Sequence, residues 1–95
     1  MIDTLSERDR AMALNSLTSW TYDGQRRSLY RQIRLKDFSE AFGLMVRIAL
    51  EAEKSDHHPE WSNVYNRIDI WLTTHDAGGV SRRDIAMAQL IDEML

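Results

Sequence analysis

The sequence predicts an α+β fold: a two-layer sandwich of order αββαββα, whose four-stranded antiparallel sheet carries its helices on one face. Three observations predict it. Thr4-Leu-Ser-Glu7, Asp37-Phe-Ser-Glu40 and Ser81-Arg-Arg-Asp84 each have the form of a capping box, and each precedes a helical run. Asp23-Gly24 supplies hairpin turn chemistry between two strand-like segments. Ile68, Ile70 and Leu72 alternate with Asp69, Trp71 and Thr73, the period of a strand with one buried face. Strands joined as hairpins, with helices between them, imply an antiparallel sheet covered on one side.

Thr4 is the expected N-cap of the first helix, which ends between residues 14 and 17. Ser19-Trp20-Thr21-Tyr22 reads as the first strand, and the chain returns from Ser28 to Leu35 with Leu29, Ile33 and Leu35 on one side. Behind Asp37, the residues Phe38, Phe42, Met45, Ala49 and Ala52 recur at helical spacing and form the expected core face of the main helix, which runs to about Lys54. Pro59 stops it, because a residue before proline avoids the α region. His57 and His58 therefore sit on an extended turn at the helix mouth. Trp61 to Tyr65 forms a short third strand, and the fourth follows, with His75 at its end. Gly78-Gly79 turns the chain into a closing helix whose apolar stripe is Ile85, Ala88, Ile91 and Leu95.

Residues 1–95 have room for one domain, and with 43% apolar residues the core has little surplus. Self-association is a natural source of further stability. There is no cysteine, so neither a disulfide nor a thiolate metal site is available. The net charge of −3 speaks against a sequence-independent grip on nucleic acid. Arg26, Arg27, Arg31 and Arg34 are interleaved with acids at Asp23, Asp37 and Glu40 and read as a solvated sheet face. The first residues lack a positive head followed by an apolar run, and the longest apolar stretch is interrupted by Arg47. The expectation is a cytoplasmic protein without membrane contact.

All three histidines, His57, His58 and His75, fall in one short region beside carboxylates and aromatics. Histidine exchanges protons near neutral pH, and neutral imidazole binds metals. Metal binding fits poorly: neighbours on an extended segment point opposite ways, whereas helical zinc pairs are three or four residues apart. Proton transfer fits better, since splayed imidazoles can line two sides of a slot. Glu53 or Asp56 could orient a ring by accepting from its N–H. No local signature specifies a serine or cysteine nucleophile. Asp84, inside its capping box, reads first as a helix cap. Trp71 points away from the Ile68/Ile70/Leu72 side, toward open sheet surface or a subunit contact.

The set Glu53-x-x-x-His57-His58-Pro59, then Tyr65, His75 and Asp84, resembles the signature of the pterin-4a-carbinolamine dehydratases in every position and interval. The likeness continues through Trp20, Asp37-Phe38, residues 49–53, Glu60-Trp61, residues 63–66, Thr74-His-Asp76 and Gly78-Gly79. Departures are Ser19, where a glycine often stands, and Gly43-Leu44 in place of bulkier residues. The resemblance implies dehydration of 4a-hydroxytetrahydrobiopterin, a pterin-4a-carbinolamine, to quinonoid dihydrobiopterin, recycling the pterin of aromatic amino acid hydroxylases. It implies the αββαββα fold, a homodimer or homotetramer, and no metal or other cofactor. It further implies His57 and His75 as proton donors, His58 as the group that orients the pterin, and Glu53 and Asp56 on the imidazoles or the amino-pyrimidine edge. Pro59 would fix the turn, and Trp20 and Trp61 would wall the pocket. The alternatives are a protein-interaction module, since some relatives act as dimerisation partners of a transcription factor, and a related role in molybdopterin metabolism.

Overall fold

The most regular alternation in the chain becomes the centre of the sheet. A computed structural model describes residues 2–95. In it β1 (Thr21–Asp23), β2 (Ser28–Arg34), β3 (Glu60–Val64) and β4 (Arg67–Leu72) form one antiparallel sheet of order β1-β2-β4-β3. The register sets Leu29 against Leu72 and Ile33 against Ile68, and places Ile70 beside Trp61. Leu29, Ile68, Ile70 and Leu72 are all buried on the helix side. A one-residue slip would turn this apolar set to the other face, so burial fixes the register.

Three helices complete the αββαββα order: α1 (Glu7–Leu14), α2 (Phe38–Ser55) and α3 (Arg82–Glu93). The first starts differently from the sequence expectation. Ser6, not Thr4, is its N-cap and accepts from the Asp9 N–H at 3.0 Å, while the Thr4 hydroxyl donates to the Ala77 carbonyl. This helix buries no residue and sits on the rim. The other two begin where expected. Asp37 accepts from the Glu40 N–H at 2.9 Å, and Ser81 and Asp84 make a reciprocal box at the head of α3.

α2 is rotated from its expected setting. Its buried residues are Ala41, Leu44, Ile48 and Ala52; of the predicted row only Ala52 is buried and Met45 partly so, while Phe38 and Phe42 face outward. Both helical rows are apolar, and the one of small and aliphatic residues lies against the sheet. Phe38, Phe42, Val46 and Leu50 are left at 47%, 52%, 44% and 62% exposure, with the two phenyl rings stacked at 5.7 Å. On α3, Asp84, Met87, Ala88 and Ile91 are buried and Leu95 is exposed, which shortens the expected stripe. Among the described residues, no helix is long and apolar enough to cross a membrane.

The far face of the sheet is dressed by the chain itself. Trp71 lies 5.1 Å from the Tyr30 ring, carries the Arg26 guanidinium over its face at 3.7 Å, and donates to Asp23 at 3.3 Å. Beside it the Asp69 carboxylate accepts from the Tyr30 hydroxyl at 2.6 Å, from Gln32 at 3.1 Å and from Arg67 at 3.2 Å. The Tyr30 bond is the main reason the Asp69 carboxyl is held below its ordinary range, against the effect of burial. The same bond, with burial and the carboxylate charge, pushes the Tyr30 hydroxyl up. Asp69 therefore contributes stability above the unfolded carboxyl pKa of about 3.9, which is lost as pH falls through the lower folded value. Tyr30 contributes fully below about pH 10 and loses its share as pH rises through the raised folded value. Tyr30→Phe is expected to cost roughly 1 kcal/mol at neutral pH. Thermal melts across pH should show the alkaline loss gone and the acid loss reduced; an unchanged profile would contradict this coupling.

Candidate active site

The site is built where α2 stops. Asp56 takes a left-handed conformation, φ 50°, and ends the helix, with its N–H and that of His57 returning to the last turn. A non-glycine residue in this region costs roughly 1 kcal/mol, so the reversal is imposed by its surroundings. It sends the two adjacent imidazoles different ways. His57 goes inward and is 9% exposed, while the His58 side chain stays out at 56%. His75 arrives from a 3-10 turn, His75–Ala77, that follows β4, rather than from the strand end that the sequence suggested.

These three imidazoles line one cavity of about 380 Å³. Asp56, Pro59, Glu60, Thr73, Thr74, Asp76 and Arg83 share its wall. Each ring has its own carboxylate. His57 Nε2 lies 2.6 Å from Asp84 Oδ1, His58 Nε2 lies 2.8 Å from Glu53 Oε1, and His75 Nε2 lies 3.0 Å from Glu60 Oε2. The pairs differ in setting. Asp84 is fully buried, whereas the Glu53 and Glu60 side chains are 80% and 39% exposed. Charge-assisted bonds are strongest away from water, so His57 is the most firmly oriented of the three.

Asp84 does more than cap. Its Oδ2 accepts from the Ser81 N–H at 2.9 Å and from the Thr74 hydroxyl at 2.8 Å, while Oδ1 faces His57. One carboxylate thus starts α3, pins the end of β4 and orients an imidazole 27 residues earlier in the chain. The sequence expectation of a cap is right and incomplete.

The remaining expected site residues divide. Glu53 reaches His58, and Asp56 and Pro59 line the cavity, though no hydrogen bond joins the Asp56 side chain to an imidazole. Trp20 and Trp61 are not pocket walls. Trp20 is 3% exposed in the core and donates its indole N–H to Asp92 at 2.9 Å. Trp61 is half-buried on the helix side of the sheet, packed against the core. Sequence reasoning gave no site role to Glu60 and Thr74, which it placed only within the family resemblance, and missed Thr73 and Arg83; all four meet the histidines through the fold. The exchange of aromatic walls for polar ones leaves a hydrogen-bonding cavity with three titratable rings, suited to moving protons on a small polar molecule.

The model of a family described as pterin 4 alpha carbinolamine dehydratase matches residues 3–94. A Rhizorhabdus wittichii protein with the provisional name pterin-4-alpha-carbinolamine dehydratase is 56% identical over 93 residues, 98% of this chain and 96% of that one. A Burkholderia ambifaria protein of the same provisional name is 51% identical over 94 residues, covering 99% and 92%. A crystal structure of a transcriptional coactivator/pterin dehydratase from Brucella melitensis superposes with a TM-score of 0.92 at 45% identity, covering 96% of this chain and 97% of that one.

Proposed function

This chain belongs to the pterin-4a-carbinolamine dehydratase family, and we propose that it is the hydro-lyase that dehydrates 4a-hydroxytetrahydrobiopterin to quinonoid dihydrobiopterin. The observation that carries the reading is the convergence of three imidazoles, each paired with a carboxylate, on one cavity. The C4a–O bond breaks once its oxygen is protonated and leaves as water, and the neighbouring ring N–H gives up a proton in balance. A positioned imidazole contributes about 10²–10⁴-fold to such a step. His57 and His75 are the proposed acids, reaching the hydroxyl from different walls. His58, exposed and tied to Glu53, orients the pterin. The product is the dihydropterin that an aromatic amino acid hydroxylase cycle would reduce again. The test is a rapid-mixing assay that follows quinonoid dihydropterin formed from the 4a-carbinolamine. Acceleration well above buffer is expected, and a rate equal to buffer would overturn the assignment.

We also propose that the protein is a homodimer or homotetramer joined through α2. Phe38, Phe42, Val46 and Leu50, spaced at i, i+4, i+8 and i+12, make a continuous exposed ridge about 18 Å long. A two-fold contact needs one self-complementary patch, and a straight ridge of this length provides it. Phe42→Glu is expected to yield monomer in light scattering while the wild type is larger; a wild-type monomer would remove the proposal. The alternative reading, an interaction module for another protein, rests on the same ridge, and partner binding that survives loss of all three histidines would favour it. The cytoplasm is the proposed address, since a chain without cysteine needs no oxidising compartment.

A further inference from the structure

Ser81, Thr74, Asp84 and His57 form a row of side chains that runs from the head of α3 to the cavity, and counting hydrogens fixes the direction of every bond in it. Asp84 Oδ2 receives the Ser81 N–H at 2.9 Å and lies 2.8 Å from Thr74 Oγ1. A carboxylate has no hydrogen to give, so Thr74 donates to it. That uses the single hydrogen on Thr74. The Ser81 hydroxyl, 2.6 Å away, must therefore donate to Thr74, and Ser81 Oγ itself accepts from the Arg83 N–H at 3.2 Å. All donors point toward Asp84, whose Oδ1 is left as an acceptor 2.6 Å from His57 Nε2. Ser81 and Asp84 are 0% exposed and Thr74 is 4%, so water does not enter to reverse the row.

We propose that Thr74 is a positioning residue: its hydroxyl, directed by Ser81, locks Asp84 as an acceptor, keeps a proton on His57 Nε2, and leaves Nδ1 as the atom that exchanges a proton with the bound molecule. The inference builds on the dehydratase reading of the site. Among the described residues His57 Nδ1 has no hydrogen-bond partner, and no side-chain nitrogen or oxygen there is buried without one. Nδ1 is therefore open, on a ring that lines the cavity. In the acid form both ring nitrogens carry hydrogen. The Nδ1 hydrogen passes to the departing hydroxyl as the C4a–O bond breaks, and water leaves. The neutral ring that remains is already the Nε2–H tautomer that Asp84 holds, so no proton moves onto Asp84 and no tautomer change follows. The proton lost from the pterin ring N–H balances the one His57 gave.

Two measurements test this. Nitrogen-15 NMR of histidine-labelled, ligand-free protein, at a pH where the ring is neutral, is expected to show His57 protonated at Nε2 and bare at Nδ1. The opposite tautomer would overturn the proposal. Thr74→Val is expected to lower kcat about tenfold with KM nearly unchanged, and Thr74→Ser to restore it. Wild-type turnover in Thr74→Val, or a Thr74→Ser enzyme as slow as Thr74→Val, would also overturn it. The spectrum needs no substrate and no variant. It decides the relay even if the valine protein fails to fold, and even if the wild type proves unable to dehydrate the carbinolamine.

Discussion

His57→Ala and His75→Ala are each expected to lower kcat for carbinolamine dehydration by about 10²–10⁴-fold, the range set by one positioned acid or base. The two should differ in how they fail. His57 is held by a buried carboxylate, so its loss removes an oriented acid and also a hydrogen-bond donor to Asp84. The His75 side chain is 80% exposed and paired only with the Glu60 carboxylate at the surface, so its removal should leave the melting temperature almost unchanged. His58→Ala, by contrast, should raise KM with a smaller change in kcat, as expected for a group that binds ground state and transition state alike. Steady-state kinetics on the three variants check this. Unchanged kcat in both His57→Ala and His75→Ala would remove the acid assignment, and a pure kcat loss in His58→Ala would exchange the roles.

The second large effect falls on stability. Asp84→Ala is expected to destabilise the fold by about 3–5 kcal/mol, because it strips one acceptor from three donors in a water-free setting. The Thr74 hydroxyl, the Ser81 N–H and the His57 ring would all lose their partner at once, and α3 would lose part of its N-terminal box. For a domain of this size, urea unfolding would read the change as a large fall in midpoint at constant slope. A loss below about 1 kcal/mol would mean that Asp84 only caps the helix.

How far the sequence disclosed all this depends on the range of each interaction. β4 was legible because its alternation is local and its apolar face has one possible destination, the core under α2 and α3. The cap at Ser81 was legible because a capping box closes within four residues. α2 was misread in rotation: both of its rows are apolar, and bulk at Phe38 and Phe42 was mistaken for burial. Trp20 was misread for a related reason. An aromatic at a strand entrance suits a pocket or a core equally, and its partner, Asp92, lies 72 residues away. The three histidines were legible as a set through their order and intervals. Their carboxylates were legible only in part. Glu53 is five residues from His58, whereas Glu60 and Asp84 meet their rings through the fold, and Thr74, though inside a segment that carries the family resemblance, has nothing in the sequence to say that it bonds Asp84.

The central claim is that His57, His58 and His75 surround one bound pterin. It is tested most directly by titrating histidine-labelled protein with a dihydropterin and following the ring signals of all three residues by NMR. All three should move together and saturate with a single dissociation constant. Movement of His57 and His58 without His75, or three unrelated binding curves, would contradict the claim.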